Sequence, residues 1–419
     1  MNYQAIFSKE LIFAVLLLSG TIKMVLPLMG ITGLPDLTLL SAIIVTMIMI
    51  SHLKTTLKSL SIQRFELISI LTLFYLFMIF SLGYTSSQSA SVTKTINFGT
   101  MALAFYFPLL VKDFNMHRFI LSLTPLIFLC SILFLNFYTT YISGNSTEVF
   151  TNMNKDEILQ MTALYLTISW LNGILVLYYF FNEKEKPILK WSMLLISFII
   201  LISAGGRGPL LFTILILGAY LLYQFYQFLT IFKFNKLILP VIVTIAITGS
   251  IIFVVSNTTS SPSDSGALKL VHNTVERLMG LVTEKGGGAS AHSRITNTIF
   301  SVKKINESPF WGYGVGSYGY EMTNIDHLDY PHNIFLEVWF ELGYIPLLLF
   351  LFLFYQVYRQ INTQTCAWCL ALYFYFLLNI LKSSSLIDIR MMLGFYAIFI
   401  TVNHIQGEEK EKNFQTKNN

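Results

Sequence analysis

The sequence predicts an all-α, polytopic integral membrane protein of about twelve transmembrane helices, with one large external loop that carries short helices of its own. Three observations predict it. Of the 419 residues, 54% are hydrophobic and only 12% are charged, and the mean hydropathy of +0.64 lies far above that of a soluble domain of this size. Apolar runs recur from end to end, each of about 17 to 25 residues, enough for a helix to cross a hydrocarbon layer of roughly 30 Å. The connections between runs alternate in charge, as they must if each run crosses the bilayer.

The spans fall at 10–29, 34–50, 66–83, 96–111, 118–142, 157–181, 188–204, 208–231, 237–256, 332–357, 364–382 and 386–404. The first follows no basic leader and precedes no small-residue cleavage site, so it is read as a retained helix and not a signal peptide. One set of connections carries His52, Lys54, Lys58 and Arg64, then Lys112 and Arg118, then Lys184, Lys186 and Lys190, then Lys233 and Lys236, then Arg359. The positive-inside rule makes that side cytoplasmic, and both termini join it. The opposite connections, "YTSSQSASVT", "SGNSTEVFTNMNK" and the long 257–330 stretch, are polar but poor in Lys and Arg. The chain therefore divides into membrane helices over 1–256, an external loop over 257–330, further membrane helices over 331–404 and a cytoplasmic tail over 405–419.

Several function classes drop out. The net charge is +5, but the basic residues are scattered over short connections and form no patch for nucleic acid. The 3 cysteines cannot make a disulfide framework. Cys366 and Cys369 have C-x-x-C spacing without a further Cys or His to complete a metal site, so they are read as two buried thiols. No Walker loop, no acidic pair at a membrane edge and no metal-spaced cluster of His, Asp and Glu is present, so neither a metal nor another cofactor is expected.

The chemistry gathers at the external edge. In "LISAGGRGPLLF" Arg207 interrupts a long apolar stretch among Gly205, Gly206, Gly208 and Pro209. Glycines let backbone N–H groups approach a ligand, and a helix starting at Pro209 points its positive end at the same place, a combination that suits phosphate. The external loop opens as a Ser/Thr/Pro/Gly linker, continues through a helical pattern "LKLVHNTVERLMGLVTE", relaxes at "KGGGAS" and resumes over 293–306 with Ile295, Ile299, Val302 and Ile305 at helical spacing. Arg294 stands in the first turn of this second amphipathic helix. "GYGVGSYGY" matches G-x-G-x-x-G without a βαβ unit around it, so it is read as a tight turn with aromatic rings free to stack on a flat ligand such as sugar. In "YPHNIFLEVWFELGYIP", Pro331 restrains Tyr330, and His332 and the capping Asn333 open an apolar helix. The positive helix end keeps the His332 imidazole neutral and able to take a proton. Glu337 and Glu341 share one face of that helix, placed to orient the ring, to bind an acceptor or to pair with other buried polar groups.

Three stretches in order, "GGRGPLL", "SRITNTIFSVKKINESPFWGYGVGSY" and "YPHNIFLEVWFELG", resemble the O-antigen polymerase and O-antigen ligase family of bacterial envelope proteins. The resemblance spans 207–346, with the twelve-span plan matching around it. The ligase pattern H-N-x9-G-x-x-(G, T or Y) is met at His332, Asn333 and Gly343, and departs at Pro346. The resemblance implies a metal-independent, inverting glycosyltransferase of the inner membrane with its active site facing the periplasm, so that 257–330 becomes a periplasmic loop. The implied donor is an oligosaccharide linked to undecaprenyl diphosphate, and the acceptor another glycan or lipid A core. Membrane lipids and a chain-length regulator are the implied partners. His332 would be the general base and Arg207 and Arg294 the diphosphate ligands, with Tyr330, Asn333, Glu337 and Glu341 in support. The "YPHNIFLE…ELG" form resembles polymerases more than ligases. A ligase remains the nearest alternative, and a lipid-glycan flippase a third. The gathering of ionisable groups at one edge, instead of along a midplane path, favours an enzyme over a transporter.

Overall fold

A computed structural model describes residues 8–29, 31, 35–142, 155–183, 185–231, 288–361 and 366–402. The expected span at 237–256, the "LKLVHNTVERLMGLVTE" helix and the tail at 405–419 lie outside them. The described residues are mostly helical, with no strand among them. The chain forms two compact units, one of residues Met1–Lys23, Gly33–Leu126 and Gly288–Asn419, the other of Met24–Thr32 and Ile127–Gly287.

The first unit begins with α1 (Lys9–Val25), whose last two residues, with the following 3-10 turn at Leu26–Met29, belong to the second. Next come α2 (Leu37–Ser59), α3 (Ile62–Ser81), α4 (Ser89–Leu110) and the start of α5 (Met116–Ile142). The second unit holds the rest of α5 with α6 (Lys155–Phe181), α7 (Pro187–Ala204) and α8 (Arg207–Ile231). The chain returns to the first unit as α9 (Gly288–Glu307), the short α10 (Tyr318–Thr323), α11 (Ile334–Leu342), α12 (Tyr344–Gln360), α13 (Ala367–Ser383) and α14 (Arg390–Val402).

Helices occupy each expected stretch within the described residues. Six of them are long and apolar enough to cross a bilayer: Leu37–Thr56, Ile62–Ser81, Met116–Tyr138, Leu164–Phe181, Pro187–Ala204 and Arg207–Gln227. Ala367–Lys382 and Arg390–Val402 are shorter apolar helices. The protein is thus a polytopic membrane protein built of helices.

Two departures from the expected boundaries bear on the site. The helix expected from 96 starts at Ser89, because its polar first turns find partners. The Asp326 carboxylate accepts from the backbone N–H of Ser89 (2.8 Å) and Ala90 (3.2 Å), meeting the free donors of a helix start. The continuous helix expected over 332–357 is broken into α11 and α12 at Gly343. There the backbone takes φ +85°, and a Cβ would lie 2.0 Å from the Phe310 carbonyl oxygen. The glycine-rich segment after α9 fills the break. The N–H of Tyr313 donates to the Phe340 carbonyl (3.0 Å), that of Gly314 to Glu341 (2.8 Å), and that of Tyr344 to Phe310 (3.2 Å). Groups that a continuous helix would have paired within itself are paired with this crossing segment instead.

Cys366 and Cys369, expected as thiols, are joined in a disulfide across the first turn of α13. A C-x-x-C pair at a helix start brings the two sulfurs together, which apolar surroundings alone did not reveal.

Candidate functional site

Packing of α9 onto α11 creates the site. Ile305, Tyr318 and Phe340 form a buried cluster, with Phe300, Tyr313, Met322, Leu336 and Trp339 packed against it. The Tyr313 ring stacks on Phe340 at 5.1 Å, and Tyr318 meets Phe340 edge-on at 5.2 Å. These rings of "GYGVGSYGY" were expected to await a ligand. They are core, because the segment must pack while its N–H groups cap α11.

On α9 the polar and apolar faces are inverted relative to a soluble helix. Asn297 and Ser301 are buried, whereas Ile295, Ile299 and Val302 are exposed, and Ile305 and Phe300 pack inward. Arg294 is half-buried one turn before Asn297. Its Nε is shielded from solvent and has no hydrogen-bond partner among the described residues.

His332 sits one residue before the cap of α11. Asn333 Oδ1 accepts from the N–H of Phe335 (3.0 Å) and Leu336 (3.2 Å), and its Nδ2 donates to the Leu381 carbonyl at the end of α13 (3.1 Å). Asn333 is therefore a cap and a tie. His332 itself adopts φ +60°, the left-handed region that a side chain with a Cβ seldom enters and that often accompanies functional strain. Its Nδ1 is buried without a hydrogen-bond partner among the described residues. The Tyr330 ring stands edge-on to the imidazole at 4.7 Å, and the Tyr330 N–H donates to Asp329 Oδ1 (2.8 Å).

Charge and burial set the protonation state. Burial first, and then the Arg294 guanidinium, hold the His332 imidazole below its ordinary value of 6.5, against an opposing pull from Asp329. A neutral ring was expected from the helix end; the causes are desolvation and a neighbouring cation. Burial, followed by the carboxylates of Asp388, Glu337 and Asp329, pushes the Tyr330 phenol up, with Arg294 opposing. Arg294 thus acts on both Tyr330 and His332, and the first unit brings the three together. It presents a neutral imidazole and a guanidinium, each with a buried nitrogen that a bound ligand could satisfy.

Glu337 and Glu341 point elsewhere. Both are fully buried and both pair with Lys94 of α4, Glu341 at 2.7 Å. Of the uses expected for these carboxylates, pairing with a buried polar group is present. Sequence reasoning missed Lys94. Its signal was available, since a lone lysine in "TKTINFGTMALAF" is costly at membrane depth without a partner, and two glutamates on one helix face are the natural partner.

Arg207 belongs to the second unit, where it is the first residue of α8. Gly205 ends α7 in a left-handed conformation, φ +80°. The N–H of Gly206 then donates to Ser169 Oγ of α6 (2.9 Å), so close that a Cβ on Gly206 would lie 2.4 Å from that oxygen. The glycines press the turn onto α6 and so place Arg207 at a helix start.

Residues 192–351 match a family model described as O-antigen ligase, a stretch that takes in Arg207, Arg294 and His332. No curated protein matches the chain.

Proposed function

Because residues 192–351 match a family model described as O-antigen ligase, we propose that this membrane protein is a metal-independent, inverting glycosyltransferase that uses an undecaprenyl diphosphate-linked glycan as donor. The observation that carries the proposal is the neutral His332 imidazole beside Arg294, each with an unpartnered buried nitrogen. His332 takes the proton of an acceptor hydroxyl as its oxygen forms the new bond to the anomeric carbon. On the opposite face the bond from that carbon to the diphosphate oxygen breaks, which inverts the centre and releases the carrier diphosphate as an anion. Arg294 binds this leaving group and stabilises the charge that develops on it. Arg207 is the second diphosphate ligand in this reading, supported by its motif and its place at a helix start. Tyr330, edge-on to the imidazole, supports the base.

The acceptor we favour is a growing or carrier-linked repeat unit, which makes the protein an O-antigen polymerase of the bacterial inner membrane working on the periplasmic side. The support is the form of the "YPHNIFLE…ELG" stretch. A ligase that transfers the finished chain to lipid A core is favoured by the description of the matching family. Surface polysaccharide from a deletion strain, run on a gel, separates the two: a single repeat on the core marks a lost polymerase, and bare core a lost ligase. Complementation with His332→Ala is expected to reproduce the deletion pattern with normal protein levels in the membrane. A wild-type ladder from that variant removes His332 from the reaction.

A further inference from the structure

A buried ionic cluster lies outside the mechanism just described. Lys94 is 1% exposed, and Glu337 and Glu341 are 0% exposed. The Lys94 ammonium donates to Glu341 Oε1 (2.7 Å) and pairs with Glu337. Glu337 has further duties, accepting from Ser385 Oγ (2.7 Å) through one oxygen and from the Leu386 N–H (3.0 Å) through the other. One ammonium therefore joins two successive turns of α11 to α4, and one of the carboxylates joins α11 to the connection that leads into α14.

α11 needs such ties. It has 9 residues, fewer than hold as an isolated helix, and the break at Gly343 prevents it from borrowing order from α12. A buried ion pair is a poor device for stability alone, since apolar replacements of similar volume are often as stable. It is a good device for register. A slip of α11 by one residue would swing both carboxylates about 100° away from Lys94, whereas an apolar face tolerates such a slip with modest repacking. The residue whose placement follows most directly from that register is His332, which precedes the Asn333 cap.

The geometry points to Lys94 as a positioning residue for the general base: through its paired contacts with Glu337 and Glu341 it fixes α11, and with it the backbone that presents His332 to the acceptor. The inference rests on the glycan-transfer reading. Arg294 is carried by α9 and is tied to α11 by apolar packing, so the cluster governs the base more than the grip on the diphosphate.

The test uses the full chain in proteoliposomes, with an undecaprenyl diphosphate-linked oligosaccharide as both donor and acceptor. Lys94→Met alone strands two buried carboxylates and can fail to fold, so the deciding variant combines Lys94→Met with Glu337→Gln and Glu341→Gln, which leaves all three members of the cluster neutral. Expected is a kcat lowered about 100-fold, the scale of a misplaced reacting group, with the donor KM unchanged and the acid limb of the pH profile still present. Full kcat in the folded triple variant overturns the inference. So does a joint loss of kcat and donor affinity, which marks a scaffold for the whole site. A wild-type protein that transfers no glycan overturns instead the function on which the inference rests.

Discussion

His332 is unprotonated at neutral pH because burial and Arg294 both oppose its charge. The sign of the consequence differs for stability and for activity. Between the folded and the ordinary value the unfolded chain binds more protons, so this residue's contribution to stability falls as pH drops through 6.5. Activity persists further, because the ring stays able to accept a proton. The acid limb of kcat/KM is expected below 6.5, and Arg294→Ala, which removes the neighbouring cation, should move it upward. A wild-type limb above the ordinary histidine value contradicts the burial argument. Arg207 invites a different substitution. Arg207→Lys keeps the charge but loses the planar fork that grips two phosphate oxygens, so glycan transfer should fall by roughly tenfold or more, the scale of one charge-assisted bond. Full activity in the lysine variant means that the arginine serves only the interface.

At the scale of the element, what the sequence made legible was the apolar period, and what it hid was the partner of each polar exception. The amphipathic pattern of Ile295, Ile299, Val302 and Ile305 located α9, but the same pattern in a soluble protein would have faced the other way. The helix after His332 was visible and its break was not, because Gly343 alone is weak evidence and the crossing segment that makes the break possible lies about thirty residues upstream. Gly343→Ala tests that account. Its Cβ would meet the Phe310 carbonyl in a left-handed backbone, with an expected loss of at least roughly 1 to 3 kcal/mol, read as an earlier melt of the purified protein. An unchanged melting temperature means that α11 and α12 have room to rejoin. Lys94 stood out as a lone charge, but its pairing was hidden for a related reason: the carboxylates that satisfy it are nearly 250 positions away in the chain, and no local period connects them.

Over the whole molecule, the hydropathy and the absence of a strand among the described residues agree with the membrane architecture read from composition. Which side each connection faces rests on the distribution of basic residues, and it can be measured directly. Ser86 and Lys186 are both exposed and stand on connections expected at opposite sides. Cys130, Cys366 and Cys369 are buried, so single cysteines at 86 and 186 can be followed against a quiet background. Ser86→Cys is expected to react with a membrane-impermeant maleimide once the outer membrane is opened, and Lys186→Cys only after the inner membrane is opened too. The reverse pattern would turn the site toward the cytosol and end the proposed function. The left-handed backbone at position 332 has an evolutionary consequence. Glycine holds that conformation without the roughly 1 to 2 kcal/mol that an L side chain incurs there, so a lineage released from making surface glycan could drift to His332→Gly with little loss of folded protein. Selection for yield alone would then erase the base while leaving the membrane fold intact.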